Sequence, residues 1–345
     1  MNNSEKKSIN VGIIGFGFMG QTHAQAYQNA RHDGYACRLV AIADNSIKSL
    51  DDVPDSGNIG QSARQTDYSG VSLFSNASGI VQSPDIDLVS ICTHTDTHVE
   101  LAISALNAGK HVLVEKPISI NPLEVERLAS AARESSRICV PAMCMRFWPA
   151  WLKIRELINS NQYGSVRSAV FHRLGSRPNW AAEFYADEAR SGGALYDLHI
   201  HDTDFIVHCF GIPSSVTTSG DGLHMSTIYH YQESPIHVLA HAAWDHQPSM
   251  GFKMQCTVVC ERATIDFDIN REDQLMIYQG EDVMPVDVGT LSGYDGEVRS
   301  IIDSIVERSL PERATMDDAT VVAKILDTER QSMRQQSTIT IDAND

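Results

Sequence analysis

Short apolar runs alternate with longer amphipathic stretches through the first 145 residues. The runs at 9–14, 39–43, 71–74, 87–92, 111–114 and 138–142 are dense in Val, Ile and Leu and predict strands buried on both faces. Helical spacing of apolar positions marks 21–30, 98–108 and 122–135; Gly109 closes the second of these, and Pro122 opens the third. A polar stretch at 45–67 predicts a long connection with one short helix. Strand and helix in this rhythm predict an α/β domain with a doubly wound parallel sheet. From residue 146 the pattern changes. Helices at 148–158 and 197–210 flank a strand at 166–174, and strands then follow one another at 214–219, 223–231, 236–244, 252–260, 263–268 and 274–278. Two helices, 294–308 and 317–333, close the chain. This second half predicts an α+β domain with a large, mostly antiparallel open sheet. The boundary is expected at 145/146, giving domains 1–145 and 146–345. An open sheet buries one face on its own helices and leaves the other solvated or paired, so a homodimer or homotetramer through this sheet is expected.

The first strand runs into Gly15-Phe16-Gly17-Phe18-Met19-Gly20 and then a helix. Such a turn suits a dinucleotide pyrophosphate. Gly15 permits the tight turn, Gly17 lets the backbone approach the phosphates, and Gly20 lets the helix pack on its strand. The helix start, with Phe18 and Met19, offers unpaired N–H groups and positive dipole to the anion. The strand at 39–43 ends in Asp44, whose carboxylate can accept from an adenine-ribose diol and would repel a 2′-phosphate, which favours NAD over NADP. The other reading of Asp44 is an ordinary turn residue at a strand end.

The chain has 345 residues, enough for two domains, and its formal charge of −17 argues against nucleic-acid or anionic-membrane partners. Neither an apolar leader before the first strand nor a run of membrane-spanning length stands in the sequence. The seven cysteines are scattered without a CxxC, which points to reduced thiols and a cytoplasmic protein.

Two segments carry candidate chemistry. The strand at 111–114 ends at Glu115-Lys116-Pro117, and ligands of open parallel sheets sit beyond the carboxyl ends of strands. An ammonium there can hydrogen-bond a substrate hydroxyl or a developing alkoxide. The Lys116–Pro117 bond is a candidate for the cis form, which is cheap only before proline. In the segment from Gly192 to Asp204, a regular helix starting near Ala194 places Asp197, His201, Asp204 and His208 within a stripe of about 60°, at about 100° per residue. His201 is the natural general base, Asp197 can bind substrate or orient the imidazole, and Asp204 would support them from behind. Satisfied polar groups of a core would give the same pattern. His199 and His201 face opposite sides of a helix and cannot share one ion, and no metal site is expected. Arg177 and Trp180 can line a polyol pocket or simply anchor their loop. The histidines at 224, 230, 237, 241 and 246 lie in or near late strands and are expected to be structural or interfacial.

Together these residues resemble the Gfo/Idh/MocA family (glucose–fructose oxidoreductase, inositol dehydrogenase and rhizopine catabolism). The likeness runs through the glycine turn, the segment from Ile91 to His98, Ala108 to Pro117, Arg146-Phe147 with Pro149, and Gly192-Gly193 followed by Asp197, His201 and Asp204. The resemblance implies a Rossmann domain followed by an α+β domain whose open sheet mediates oligomers. It implies that Lys116, Asp197 and His201 form the catalytic set, and that Thr93, His94, His98 and Glu115 lie at the cofactor. The implied activity is NAD(P)-dependent oxidation of a secondary hydroxyl in a sugar, cyclitol or related polyol. A redox-neutral enzyme that retains its NAD, or a dinucleotide-binding sensor, would share much of this pattern. Two positions depart from the family. His94-Thr95 stands where Pro-Asn is frequent, and His199 stands where glycine is frequent, so both are expected to alter the pocket.

Overall fold

The computed structural model describes residues 8–50 and 66–341. Most of the expected connection at 45–67, with its short helix, lies outside the described residues. The chain divides into two compact units, 1–144 with 292–320, and 145–291 with 321–345.

The first unit contains a six-stranded sheet built from β1 (Ile9–Ile14), β2 (Cys37–Ala43), β3 (Ser72–Phe74), β4 (Leu88–Ile91), β5 (His111–Val114) and β6 (Cys139–Pro141). Its order is β3-β2-β1-β4-β5-β6, with every pair parallel. The helices are α1 (Phe18–His32), α2 (Ser78–Val81), α3 (His98–Asn107) and α4 (Pro122–Glu134). Strands β1, β4 and β5 are almost wholly buried, as their unbroken apolar runs require. Strand order reverses between β1 and β4, so the crevice at their carboxyl ends is the topological switch point.

The second unit opens with α5 (Pro149–Asn159) and β7 (Val166–Leu174), then two short helices, α6 (Ala182–Ala186) and α7 (Glu188–Ser191). A π-helical turn, Leu195–His199, leads directly into α8 (Ile200–Phe210). The strands that follow are β8 (Ser215–Gly220), β9 (His224–His230), β10 (His237–Ala243), β11 (Lys253–Cys260), β12 (Thr264–Asp268), β13 (Leu275–Gln279) and β14 (Asp282–Val286). With β15 (Ile339–Thr340) they form a nine-stranded sheet of order β14-β13-β12-β11-β7-β10-β9-β8-β15. Only the β7–β10 pair in it is parallel. Alternate residues of β9, β10 and β11 are buried, and those between them stay open, so one face is covered and the other is not. On the covered face Trp151 of α5 meets Phe171, Phe205 and Phe267 at ring-centroid distances of 4.6–6.0 Å.

The structure departs from the expectations in three places. The segment 292–320, expected in the second domain, belongs to the first unit. Its helix α9 (Gly293–Glu307) starts with a Ser292/Asp295 capping box and buries Glu297, Val298, Ile301 and Ile302. Asn29 of α1 donates to Asp295 at 2.9 Å, and the Arg299 guanidinium lies over Tyr35 at 5.6 Å, so α9 docks on α1. A linear reading with one cut cannot register this return. The start of the 197–210 helix is π-helical rather than regular. Strand β14, with Pro285 in it, lies at the sheet edge, where a missing N–H is tolerated. The last helix, α10 (Met316–Gln335), follows the expected course.

His111 opens β5, the strand that carries Lys116. Its Nδ1 accepts from the Ile138 N–H at 3.0 Å, and burial, helped by the Arg137 charge, pushes its pKa down to about 4. The unfolded chain therefore binds the extra proton at higher pH than the folded one, so stability rises with pH across that window. As pH falls from about 6.5 to about 4, the first unit should lose on the order of 1–2 kcal/mol from this residue, after allowance for solvent screening. His111→Asn, which keeps an acceptor, should flatten that part of a urea-denaturation pH profile; an unchanged profile would refute the assignment.

Candidate active site

In the first unit every element of the expected cofactor site lies at the carboxyl edge of the parallel sheet. Gly15 has φ +86°, and a Cβ there would stand 2.7 Å from the Cys92 carbonyl oxygen at the end of β4. At Gly20 a Cβ would lie 2.2 Å from the Gly15 carbonyl oxygen, so α1 could not pack as it does. Both glycines are required by the protein itself. Gly17 differs: its φ of −73° suits any residue, and a Cβ there would meet nothing within 4 Å. The space in front of Gly17 is open, which fits a ligand approaching the backbone. Gly17 is also the N-cap of α1, no side chain caps this helix, and no carboxylate sits in its first turn. The half-buried Phe18 and Met19 begin the helix. This arrangement fits a pyrophosphate.

Asp44 is half-buried at the end of β2, beside the turn. Its Oδ2 accepts from the Phe16 N–H at 2.8 Å, and its Oδ1 from the Ser46 N–H and hydroxyl at 2.8 and 2.7 Å. Burial alone would raise its pKa, but these hydrogen bonds outweigh it and hold the carboxyl below the ordinary range. Asp44 thus staples the glycine turn.

Four further residues stand at the ends of β4 and β5. His98 is buried, with Nδ1 2.9 Å from the Pro117 carbonyl and Nε2 2.9 Å from the Thr93 carbonyl. Burial lowers its pKa, so the neutral ring donates to one carbonyl at a time and clips the two strand-end turns together. Thr93 accepts from the Thr97 hydroxyl at 2.7 Å, and His94 is exposed with its carbonyl accepting from the same hydroxyl at 2.8 Å. Glu115 is buried: Oε1 accepts from His23 at 3.0 Å, and Oε2 from the Lys116 N–H at 3.0 Å. Its carboxylate positions the backbone of Lys116. Lys116–Pro117 is cis, and within 112–118 Lys116 is the one residue that is not buried.

In the second unit the π turn changes how the helix presents its polar residues. Between 193 and 206 all residues are buried except Asp197 and His201, which are half-open one turn apart. Asp204, expected behind them, instead makes a buried ion pair with Arg146, Nη2 to Oδ1 at 2.7 Å. Asp202 pairs in the same way with Arg173 at 2.7 Å. His199, expected to alter the pocket, is fully buried: its Nε2 lies 3.0 Å from Glu329 and 3.1 Å from the Tyr229 hydroxyl. Burial, reinforced by the Glu329 charge, raises the pKa of Tyr229 well above normal. Arg177 is exposed, whereas Trp180 is half-buried with an edge contact to Tyr185 at 6.2 Å. Among the late-strand histidines, His230 bonds Thr217 at 2.8 Å and His237 is exposed. All seven cysteines are free thiols. Among the described residues no helix is long and apolar enough to cross a membrane.

Two groups escaped the sequence reading. His23 and Glu297 come from α1 and α9, and only tertiary structure brings them to Glu115. Glu329 and Tyr229 reach His199 from α10 and β9. Glu297, beside Val298, leaves a faint trace in the sequence, whereas Glu329, between Thr328 and Arg330, leaves none.

Comparison with known proteins agrees with both halves. Residues 9–143 match the family described as "Oxidoreductase family, NAD-binding Rossmann fold", and residues 151–266 match "GFO/IDH/MocA C-terminal domain". The chain belongs to the Gfo/Idh/MocA family, and its first unit is an NAD-binding Rossmann domain. It is 33% identical over 212 residues to the oxidoreductase YhhX of Escherichia coli, covering 60% of this chain and 55% of that protein. With myo-inositol 2-dehydrogenase of Thermotoga maritima it shares 27% identity over 205 residues, or 59% of this chain and 55% of that protein. The chain thus spans little more than half the length of these relatives. A levoglucosan dehydrogenase solved with NADH and levoglucosan has the same fold, with TM-score 0.81 and 20% identity, covering 97% of this chain and 99% of that one.

The glycine turn yields a two-sided prediction. Gly20→Ala should destabilise the first unit, by about 1–3 kcal/mol for overpacking, because its Cβ meets backbone. Gly17→Ala should melt within a few degrees of the parent yet bind NADH at least about tenfold more weakly, since the added methyl enters only the ligand's space. Unchanged NADH affinity by fluorescence titration would exclude this placement of the pyrophosphate.

Proposed function

We propose that the protein is an NAD(P)-dependent dehydrogenase acting on a secondary hydroxyl of a sugar, cyclitol or related polyol, with Lys116, Asp197 and His201 as its catalytic set. The observation that carries this reading is one of burial. Lys116 in 112–118, and Asp197 and His201 in 193–206, are the residues that emerge from otherwise buried segments. Ionisable groups half-exposed on rigid, polar-anchored backbone are placed for chemistry rather than solubility.

The nicotinamide, when bound, supplies the hydride chemistry. The remaining work falls to side chains. An imidazole nitrogen of His201 takes the hydroxyl proton. Nζ of Lys116 donates to the same oxygen as negative charge develops on it. The Asp197 carboxylate accepts from a neighbouring hydroxyl or from the far N–H of the His201 ring, which fixes either the substrate or the tautomer. Thr93, His94 and His98, at the ends of the strands, lie where the nicotinamide half of the cofactor belongs, and Glu115 acts through the backbone of Lys116. Arg177 and Trp180 contribute to the substrate pocket, the guanidinium donating to hydroxyls and the indole stacking on a ring. Asp44, held ionised beside the turn, favours NAD over NADP by repelling a 2′-phosphate. Relatives named as inositol dehydrogenases, and a fold neighbour solved with NADH and levoglucosan, support a polyol substrate. The half-open nine-stranded sheet supports a homodimer or homotetramer, and buried free thiols support a cytoplasmic location.

The direct test is a panel of cyclitols, aldoses and their acid and amino derivatives, scored for nicotinamide reduction with NAD and with NADP. Reduction is expected with at least one polyol, and faster with NAD. On that substrate His201→Ala should lower kcat by about 10²–10⁴ and Lys116→Met by about 10²–10³. Turnover that survives both substitutions overturns the catalytic set. Turnover without added cofactor would point to a retained NAD, and NADH binding with no reduction across the panel to a sensor.

A further inference from the structure

Away from the residues assigned above, the second unit gathers four histidines and a carboxylate. His224 opens β9 and His241 lies in β10, both on the uncovered face of the sheet. Asp245 and His246 follow just after β10. Nδ1 of His224 stands 3.0 Å from both oxygens of Asp245. Nε2 of the same ring is 2.7 Å from Nε2 of His241. The His246 ring lies 6.0 Å from that of His224, and His172 of β7 is 5.5 Å from His241. One ligand atom each from His224, Asp245 and His246 falls within a common 4.8 Å.

We propose that His224, Asp245 and His246 form a binding site for a divalent transition ion of the zinc type, with His241 as the partner that orients His224. Three observations support it. First, Nδ1 of His246 is buried and makes no hydrogen bond, a cost that a bound ion removes. Second, the His224 ring is held at both nitrogens. When its Nε2–H donates to His241, Nδ1 carries a lone pair and faces the Asp245 carboxylate, two acceptors that need a cation or a proton between them. A separation of 3.0 Å there also suits the edge between two ligands of one ion, about 3.0–3.4 Å when each bond is about 2.0–2.2 Å. The hydrogen bond to His241 is the outer support that metal-bound histidines normally have. Third, the site is reachable, because the His224 and Asp245 side chains are 42% and 44% exposed. Two imidazoles and one carboxylate suit zinc, with a position left for water.

The site also has mechanical meaning. Asp245 bridges Ser176, and the His246 N–H donates to the Gly175 carbonyl at 3.2 Å. An ion here would tie the end of β10 and the start of β9 to the base of the loop that carries Arg177 and Trp180.

The test uses the untagged full chain, stripped with chelator and titrated calorimetrically with zinc chloride. One site per chain is expected, together with a rise in melting temperature, because an ion that binds the native site stabilises it. His246→Ala and Asp245→Asn should each abolish that site, and His241→Ala should weaken it by about 10–100-fold. Cobalt(II) should give a visible absorption band in the parent and lose it in His246→Ala. Circular dichroism of the ion-free variants checks that each remains folded, and Asp245→Asn, an isosteric change at an exposed position, serves as the arm least able to disturb folding. Absence of zinc binding, or binding that persists unchanged in His246→Ala and Asp245→Asn, overturns the proposal.

Discussion

The placement of Lys116 rests on one buried carboxylate. Glu115 points into the first unit, where His23 of α1 donates to one oxygen and the Lys116 N–H to the other. Glu297 of α9 stands 3.5 Å from the same histidine. Two bare carboxylates could not share so dry a space. Burial, with the Glu115 charge added, raises the pKa of Glu297 well above normal, which favours its neutral form. One negative charge therefore answers one imidazole and one backbone donor. The helix that begins at the glycine turn, the strand that carries the lysine and the helix that returns from late in the chain all meet at this knot. A residue-long shift of any of them would break it.

The second unit solves the equivalent problem by holding α8 with buried polar bonds. Asp204 is paired to Arg146, and Asp202 to Arg173, whose guanidinium also lies 5.6 Å over Trp151. Thr203 bonds both Tyr229 and Glu329, and His199 joins the same network. Buried ion pairs add little net stability, because desolvation offsets their attraction, but losing one partner costs about 3–5 kcal/mol. Their effect is to make any other rotation of the helix costly. With α8 held, Asp197 and His201 keep their half-open positions. The π turn before α8 follows the same logic: an extra residue in the turn lets His199 reach Glu329 while Asp197 and His201 stay out of the core.

Much of this could be read from the chain alone. The parallel strands announce themselves as apolar runs, and the glycine turn, Asp44, Lys116 and the Asp197–His201 pair stand out by local spacing. What local spacing could not supply is equally specific. A strict 3.6-residue period put Asp204 beside His201, whereas Arg146, far away in sequence, claims it. The departure from the family's glycine made His199 an expected pocket residue, though its partners lie on β9 and α10. The return of α9 to the first unit depends on matching two helix faces that nothing in either segment alone reveals. Each of these cases turns on a long-range polar partner, and such partners leave little or no local trace: Glu329 lies between Thr328 and Arg330 like any residue of an exposed helix face.

The glycine turn shows how structural demand can be separated from functional demand. Gly15 and Gly20 are glycines because other backbone atoms occupy the place of a Cβ, so any protein folding this way would need them, ligand or not. Gly17 faces open space with an ordinary backbone conformation, and its smallness serves nothing inside the protein. Asp44 meets the structural demand by stapling the turn through Phe16 and Ser46, and remains half-exposed beside it. Residues whose charge is paired inside the fold, such as Asp204 with Arg146, belong to the scaffold however catalytic their chemistry looks. Those that keep capacity or space after the fold has been satisfied are where a ligand must be sought.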